Sequence, residues 1–253
     1  MPSSAQTPDS QRRAARWAPL ALLLASGVAL AEGAPQQPAR ANPDPLEGMN
    51  RATYAFNDFI DRHLARPVAR GYRAVLPDFA RRGIGNFFAN LSYPTVIVND
   101  VLQGKLRHAA GDTTRFVVNS LMGIGGLADP ATRMGLVAHD EDFGQTLGRW
   151  GVGPGPYLVL PLLGPSDLRD APGRYVDHYT NAAYLIEDAR AKYSLLAIDL
   201  VDRRASLLAA DEALKAAFDP YALMRNAYLQ RREYLVRDGQ VPDDTSYEDP
   251  LDP

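Results

Sequence analysis

The sequence predicts an all-α protein built as a single helical domain, and three observations carry that expectation. An Asp-Pro helix start is read at Asp44 and again at Asp219, and residues 187–217 repeat apolar side chains at sevenfold spacing. The strand-prone run "TVIV", residues 95–98, has no second strand to pair with, so as a lone strand its backbone N–H and C=O groups would stay unsatisfied. With 253 residues, 46% of them hydrophobic, the chain supports one core.

Element by element, residues 1–31 read as a secretory signal peptide. Arg12, Arg13 and Arg16 form its positive region, an apolar run starts at Trp17, and Ala29 and Ala31 set an A-x-A cleavage pattern ahead of Glu32. Fifteen residues from Trp17, interrupted by Pro19, Ser26 and Gly27, are short for a spanning helix; an uncleaved anchor is the alternative. Residues 32–43, "EGAPQQPARANP", are a linker. The helical domain occupies residues 44–237. Asp44 suits N-cap, Pro45 N1 and Glu47 N3 of a first helix, whose apolar set of Leu46, Met49, Tyr54, Phe56, Phe59, Ile60 and Leu64 is broad enough to be buried or membrane-facing. Pro67 is expected to end or kink it.

Short helices are expected near 68–76, 78–90, 94–102, 106–122 and 139–149. Residues 151–173, "GVGPGPYLVLPLLGPSDLRDAPG", are too rich in proline and glycine for a regular helix or an uninterrupted ladder, and surround the apolar run that starts at Tyr157. Residues 187–217 read as one helix of about 46 Å at ~1.5 Å per residue. Its seam is Tyr193, Leu196, Leu200, Leu207, Ala210, Leu214 and Ala217, interrupted by Arg203, which favours packing within a bundle over a long coiled coil. Asp219 and Pro220 start the last helix, which carries Met224, Tyr228 and Leu235 to about Val236. Residues 238–253 hold six acids and no base and are expected to be a disordered acidic tail.

Composition excludes several chemistries. The absence of cysteine removes disulfides, thiolate metal sites and thiol catalysis, and 27 basic against 30 acidic residues gives no basic excess for nucleic acid. His63, His108, His139 and His178 are scattered without a His-x-x-x-His pair, so no metal site and no cofactor is expected. "HDEDFG", from His139, groups a histidine with three acids, but successive side chains on a helix do not converge, and the run reads as a capped, solvated helix start. Ser166 lies in no nucleophile elbow. Gly123, Gly125 and Gly126 lack the strand and spacing of a dinucleotide loop and suit a tight turn or close helix contact. What remains is apolar surface without a chemical centre, a composition suited to a membrane interface.

The blocks "NPDPLEGMNRATYAFND", "RGIGNFFANLSYPTVIVNDVLQG", "TRFVVNSLMGIGGLADPA", "FGQTLGRWGVGPGPYLVLPLLGPSDLRD" and "DPYALMRNAYLQRREYLV" together resemble the MlaA, or VacJ, family of outer-membrane phospholipid-handling lipoproteins. The resemblance covers residues 42–236. It implies a ring-like assembly of amphipathic helices with a central channel, on the periplasmic side of a Gram-negative outer membrane. It also implies non-catalytic removal of mislocalised phospholipid from the outer leaflet to a periplasmic carrier protein, in association with a trimeric porin. By the same resemblance Gly151, Gly153 and Gly155 form a hinge beside the channel, stiffened by Pro154 where the family usually has an aromatic residue. Tyr54, Phe56 and Asn57 match a region of channel control, and Asp44, Pro45, Glu47, Asn50 and Arg51 match the N-terminal signature. The family's lipid-modified cysteine has no counterpart here. The alternatives are a secreted hydrolase using His139 or His178 with nearby carboxylates, and a structural porin-associated protein without transfer activity.

Overall fold

The computed structural model describes residues 44–240; the signal, the linker and residues 241–253 lie outside the described residues. The chain runs α1 (Glu47–Ile60), a π-helical turn (Asp61–Ala65), α2 (Arg66–Val75), α3 (Asp78–Leu102), α4 (Leu106–Leu121), α5 (Pro130–Arg133), α6 (Phe143–Arg149), β1 (Tyr157–Leu160), β2 (Gly164–Asp167) and α7 (Asp170–Thr180). A 3₁₀ turn (Ala182–Leu185) leads to α8 (Ala189–Ser206), a second 3₁₀ turn (Leu207–Ala210), α9 (Asp211–Ala216) and α10 (Pro220–Val236). The single helical domain predicted from sequence is therefore observed, with one small antiparallel hairpin that pairs Tyr157 with Asp167 and Leu160 with Gly164.

Several boundaries differ from expectation, each for a local reason. Pro67 does not end the first helix. A proline ring collides with the carbonyl four residues back and offers no N–H, and the turn just before it widens so that the Arg66 N–H reaches Asp61 O. The two helices expected at 78–90 and 94–102 are one helix, α3, that runs through Pro94 and places "TVIV" in helix, as expected. The expected helix at 139–149 begins at Phe143, with the Asp142 side chain capping the Gln145 N–H. The expected single helix at 187–217 is broken at the second 3₁₀ turn. That break lets Asp211, at the start of α9, share Arg204 with Asp61 of the π-helical turn. Tyr193 and Leu200 of the predicted seam face outward, and the face of α8 that packs on α2 is the one carrying Asp202, which accepts from Tyr72 Oη at 2.7 Å. Asp219 caps α10 as expected.

The interior is unusually polar. Seventeen buried residues among those described are polar or charged against eleven hydrophobic ones, while thirty-three large apolar side chains lie exposed. Leu46, Met49, Phe56, Phe59 and Leu64, most of the apolar set of the first helix, belong to this outer surface. No helix among the described residues is long and apolar enough to cross a membrane.

Charged pairs between distant segments hold this interior. Arg115 of α4 is fully buried and donates to Tyr93 Oη at 2.6 Å, to Thr132 Oγ1 at 2.9 Å, to both Asp129 oxygens at 3.0 and 3.1 Å, and to Leu136 O. Arg232 of α10 donates to both oxygens of Asp142 and pairs with Asp170, whose carboxylate also accepts from Tyr228 Oη at 2.6 Å. The acidic tail begins on the fold: Asp238 pairs with Lys105 and Arg149.

Replacing Arg115 by Leu leaves the Asp129 carboxylate buried without its cation and is expected to cost about 3–5 kcal/mol. Arg62→Ala, at an exposed pair with Asp58, is expected to cost less than about 0.5 kcal/mol. Urea unfolding of both variants checks the contrast. Burial alone raises the pKa of Asp61, Asp129 and Asp142, but hydrogen bonds and the charges of Arg204, Arg115 and Arg232 outweigh it and hold all three carboxyls below their ordinary value. A depressed folded pKa contributes stability above the unfolded value of about 3.9 and loses it as pH falls. The melting temperature should therefore drop steeply below pH ~4, and a flat profile from pH 5 to 2.5 contradicts this account.

Candidate functional site

The residues that the sequence singles out in its first block converge on the hairpin. Asn50 and Asn57 stand two helical turns apart on α1, so both side chains leave the same face of the helix. Each carboxamide pairs with the strand backbone as a neighbouring strand would. Asn50 Nδ2 donates to Tyr157 O at 2.8 Å, and its Oδ1 accepts from Val159 N at 2.9 Å. Asn57 Nδ2 donates to Leu160 O at 2.9 Å, and its Oδ1 accepts from Leu162 N at 2.8 Å. The first helix thus occupies the place of a missing third strand.

Asp44 takes part in the same joint and is not the N-cap expected of it, nor is Pro45 the first helical residue or Glu47 the third: the cap position falls to Leu46, without a side-chain cap bond. Helical bonding begins at Glu47, with Leu46 in the flanking position. The Asp44 carboxylate accepts the Leu46 N–H at 3.2 Å, as a cap does, but it also holds Asn50 Nδ2 at 2.8 Å and the Tyr221 hydroxyl. Arg51 bridges Glu47 at 2.7 Å and the α10 cap Asp219 at 2.6 Å, with its guanidinium 4.4 Å from the Tyr221 ring centroid. Pro45 sits in the turn before the helix. Tyr54 meets Tyr221 edge-on at 5.8 Å, while Phe56 is exposed. Of the first-helix residues, then, Tyr54 and Asn57 join the hairpin assembly and Phe56 faces outward.

Gly151, Gly153 and Gly155 link α6 to the hairpin, and they are not equivalent. Gly151 has φ +91° and closes α6 in a Schellman motif, with its own N–H on Gly148 O at 3.0 Å and the Val152 N–H on Leu147 O at 2.9 Å. Gly155 has φ +65°, and a Cβ there would stand 3.1 Å from Leu168 Cβ. Gly153 has neither constraint. A cavity of about 310 Å³ lies elsewhere, lined by Arg70, Arg73, Leu208, Asp211 and Glu212. Its polar lining differs from the amphipathic channel that the family resemblance implies.

A second cluster gathers residues that the sequence leaves scattered. His139 Nδ1 lies 2.6 Å from Asp112 Oδ2, and its ring stacks on His108 at 3.9 Å and 7°. Glu141 accepts from Lys105 Nζ and Gln103 Nε2, both at 2.8 Å. "HDEDFG" is therefore a junction of four paired side chains, of which only Asp140, paired with Arg231 at 3.0 Å, keeps the solvated position expected of the run. Burial, reinforced by Asp112 and Glu141, pushes the Asp100 carboxyl up to about 7. His178 instead packs on Tyr184, ring centroids 3.5 Å apart. Sequence spacing misses this cluster because its members come from α3, α4 and the segment before α6.

With this geometry in view, the family model described as MlaA lipoprotein matches residues 42–235. The chain belongs to that family. The MlaA protein of Escherichia coli K12, an intermembrane phospholipid transport system lipoprotein, is 38% identical over 204 residues, covering 78% of this chain and 80% of the relative. The MlaA protein of Haemophilus influenzae, described in the same words, is 34% identical over 209 residues, covering 78% and 81%. An uncharacterised protein of Rickettsia bellii is 36% identical over 196 residues, covering 77% of each chain. A solved chain, from work on the structural basis for maintenance of bacterial outer membrane lipid asymmetry, has a TM-score of 0.69 and is 38% identical, covering 78% of this chain and all of that one.

The carboxamides of Asn50 and Asn57 predict a graded response. Asn50→Ala strands a buried carbonyl and a buried N–H and is expected to cost roughly 2–5 kcal/mol, whereas Asn57→Ala, on a half-exposed pair, is expected to cost about 1 kcal/mol. Chemical denaturation in one detergent measures both, and equal costs would show that the two contacts do not differ in burial as described.

Proposed function

We propose that this chain transports phospholipid between membranes without covalent chemistry, taking mislocalised lipid from the outer leaflet of the outer membrane towards a periplasmic carrier. One observation carries the reading: the large apolar side chains face outward over a polar, ion-paired interior, which is the distribution expected where the surrounding medium is lipid. The absence of any spanning helix among the described residues fits a protein embedded partway into one leaflet. Membership of the MlaA family and the names borne by its relatives support the same activity.

In this reading the described helices form a ring about a lipid channel, residues 1–31 direct export, and the outward apolar helices retain the protein in the membrane without an acylated cysteine. A trimeric porin and a periplasmic lipid carrier are the expected partners. The Asn50 and Asn57 contacts keep the hairpin seated on α1, so bending within residues 151–155 displaces α6 relative to the hairpin. Gly151 and Gly153 serve as the pivot, and Gly155 serves the turn.

The test is a strain whose only copy carries Gly151→Ala together with Gly153→Ala. Neither added Cβ meets a neighbour within 4 Å, and only Gly151 imposes left-handed strain, worth about 1–2 kcal/mol. The double variant should accumulate phospholipid in the outer leaflet at a membrane abundance equal to wild type. Full clearance at equal abundance would reduce these glycines to cap and turn formers. The His139–Asp112 distance meets the requirement of a catalytic dyad, which favours a hydrolase as the second reading. His139→Gln discriminates: transport predicts unchanged clearance and no lysolipid, and hydrolysis predicts loss of a lysolipid product seen in wild type.

A further inference from the structure

We propose that Asp100, His108 and Glu141 form a binding site for a divalent transition cation of the zinc class, joining α3, α4 and the segment that enters α6. One ligand atom from each of the three lies within 4.8 Å of the others. Zinc holds N and O ligands at about 2.0–2.2 Å, which places them about 3.4 Å apart in a tetrahedron. Small side-chain rotations close that gap.

Hydrogen bonding makes this more than a cluster of acids. Asp100 is 0% exposed, yet neither of its oxygens receives a hydrogen-bond donor. His108 Nδ1 likewise has no hydrogen-bond partner and lies 3.9 Å from Asp100 Oδ1. A buried carboxylate that no donor reaches is costly to leave so, and native structures satisfy such groups with a proton, a water or an ion. The neighbouring groups favour a cation. Asp112 faces Asp100 and is engaged by His139, while Lys105, the nearest lysine, is committed to Glu141 and Asp238.

The donor set chooses the class of ion. An imidazole nitrogen beside two carboxylates suits zinc and its first-row neighbours, whereas magnesium and calcium prefer oxygen alone. The stacked His139 ring fixes the plane of His108, and the half-exposed side of His108 gives the ion a route in and leaves room for a water as the fourth ligand. Bound there, the ion clamps the α3–α4 turn to the start of α6, upstream of Gly151.

The experiment uses the full mature chain, purified in detergent and stripped with EDTA, and adds zinc, magnesium or calcium chloride. Zinc should raise the melting temperature by about 4 °C or more and remain at about one equivalent after dialysis, measured by elemental analysis. Asp100→Asn and His108→Gln should each weaken zinc affinity by about tenfold or more, while His63→Gln on the π-helical turn should bind as wild type does. If Asp100→Asn fails to fold, His108→Gln, at a half-exposed position, decides alone. The proposal is overturned by no thermal shift with zinc, which leaves a proton shared between Asp100 and Asp112 as the resolution. It is equally overturned by equal shifts with magnesium or calcium, or by unchanged zinc affinity in both variants, the mark of an adventitious ion only.

Discussion

Because so many of the large apolar side chains face outward, segments distant in sequence must be joined inside by hydrogen bonds and ion pairs, and the rest of the structure depends on those joints. The clearest is the pairing of Asn50 and Asn57 with the backbone of β1 and the residues just after it. A two-stranded hairpin is marginal in water on its own. Carboxamides from a helix complete its hydrogen bonding where a third strand would otherwise be needed, and Asp44, held in turn by Tyr221, fixes the orientation of the first of them. Helix α1, the hairpin and α10 therefore form one unit.

Charged joints of the same kind set the other contacts. Arg115 closes the turn between α4 and α5, Arg204 gathers the π-helical turn and the α8–α9 break, and Arg232 ties α10 to the starts of α6 and α7. A buried ion pair contributes little net stability against an apolar replacement, but removing one partner is expensive. Such joints therefore specify register more than they add strength. That suits a fold whose apolar side chains are turned outward.

The segment after α6 joins that helix to the hairpin, and α10 contacts both. On one side, Asp142 and Arg232 anchor α6, and the Asp100–His108–Glu141 cluster lies at the entry to it. On the other, the hairpin is held by α1. Residues 151–155 are the covalent link between them, and within that link Gly151 has a backbone angle that side chains disfavour while Gly153 is free of close neighbours. A cation at the cluster would stiffen the α6 side without touching the glycines.

Local chemistry is what the sequence by itself determined. Asp219 and Pro220 cap and start the last helix because the cap bond forms within four residues, and the breadth of the apolar face of α1 was legible from periodicity, which left open whether that face is buried or outward. "TVIV" was readable as helix because no partner strand existed for it. The family blocks identified Asn50, Asn57 and the glycines as residues of interest. Only the tertiary structure decided what those residues touch. What completes the hairpin escaped sequence reading because its third-strand partner is a pair of side chains more than a hundred residues away. The break in the helix expected at 187–217 escaped because Arg204 is drawn to Asp61, and the seam residues Tyr193 and Leu200 were misassigned because spacing alone does not tell a face that packs on protein from one that stays exposed. The grouping of His108, His139, Asp100 and Glu141 was invisible for the same physical reason: hydrogen bonds and ion pairs across a fold depend on distance in space, and separation along the chain carries no record of it.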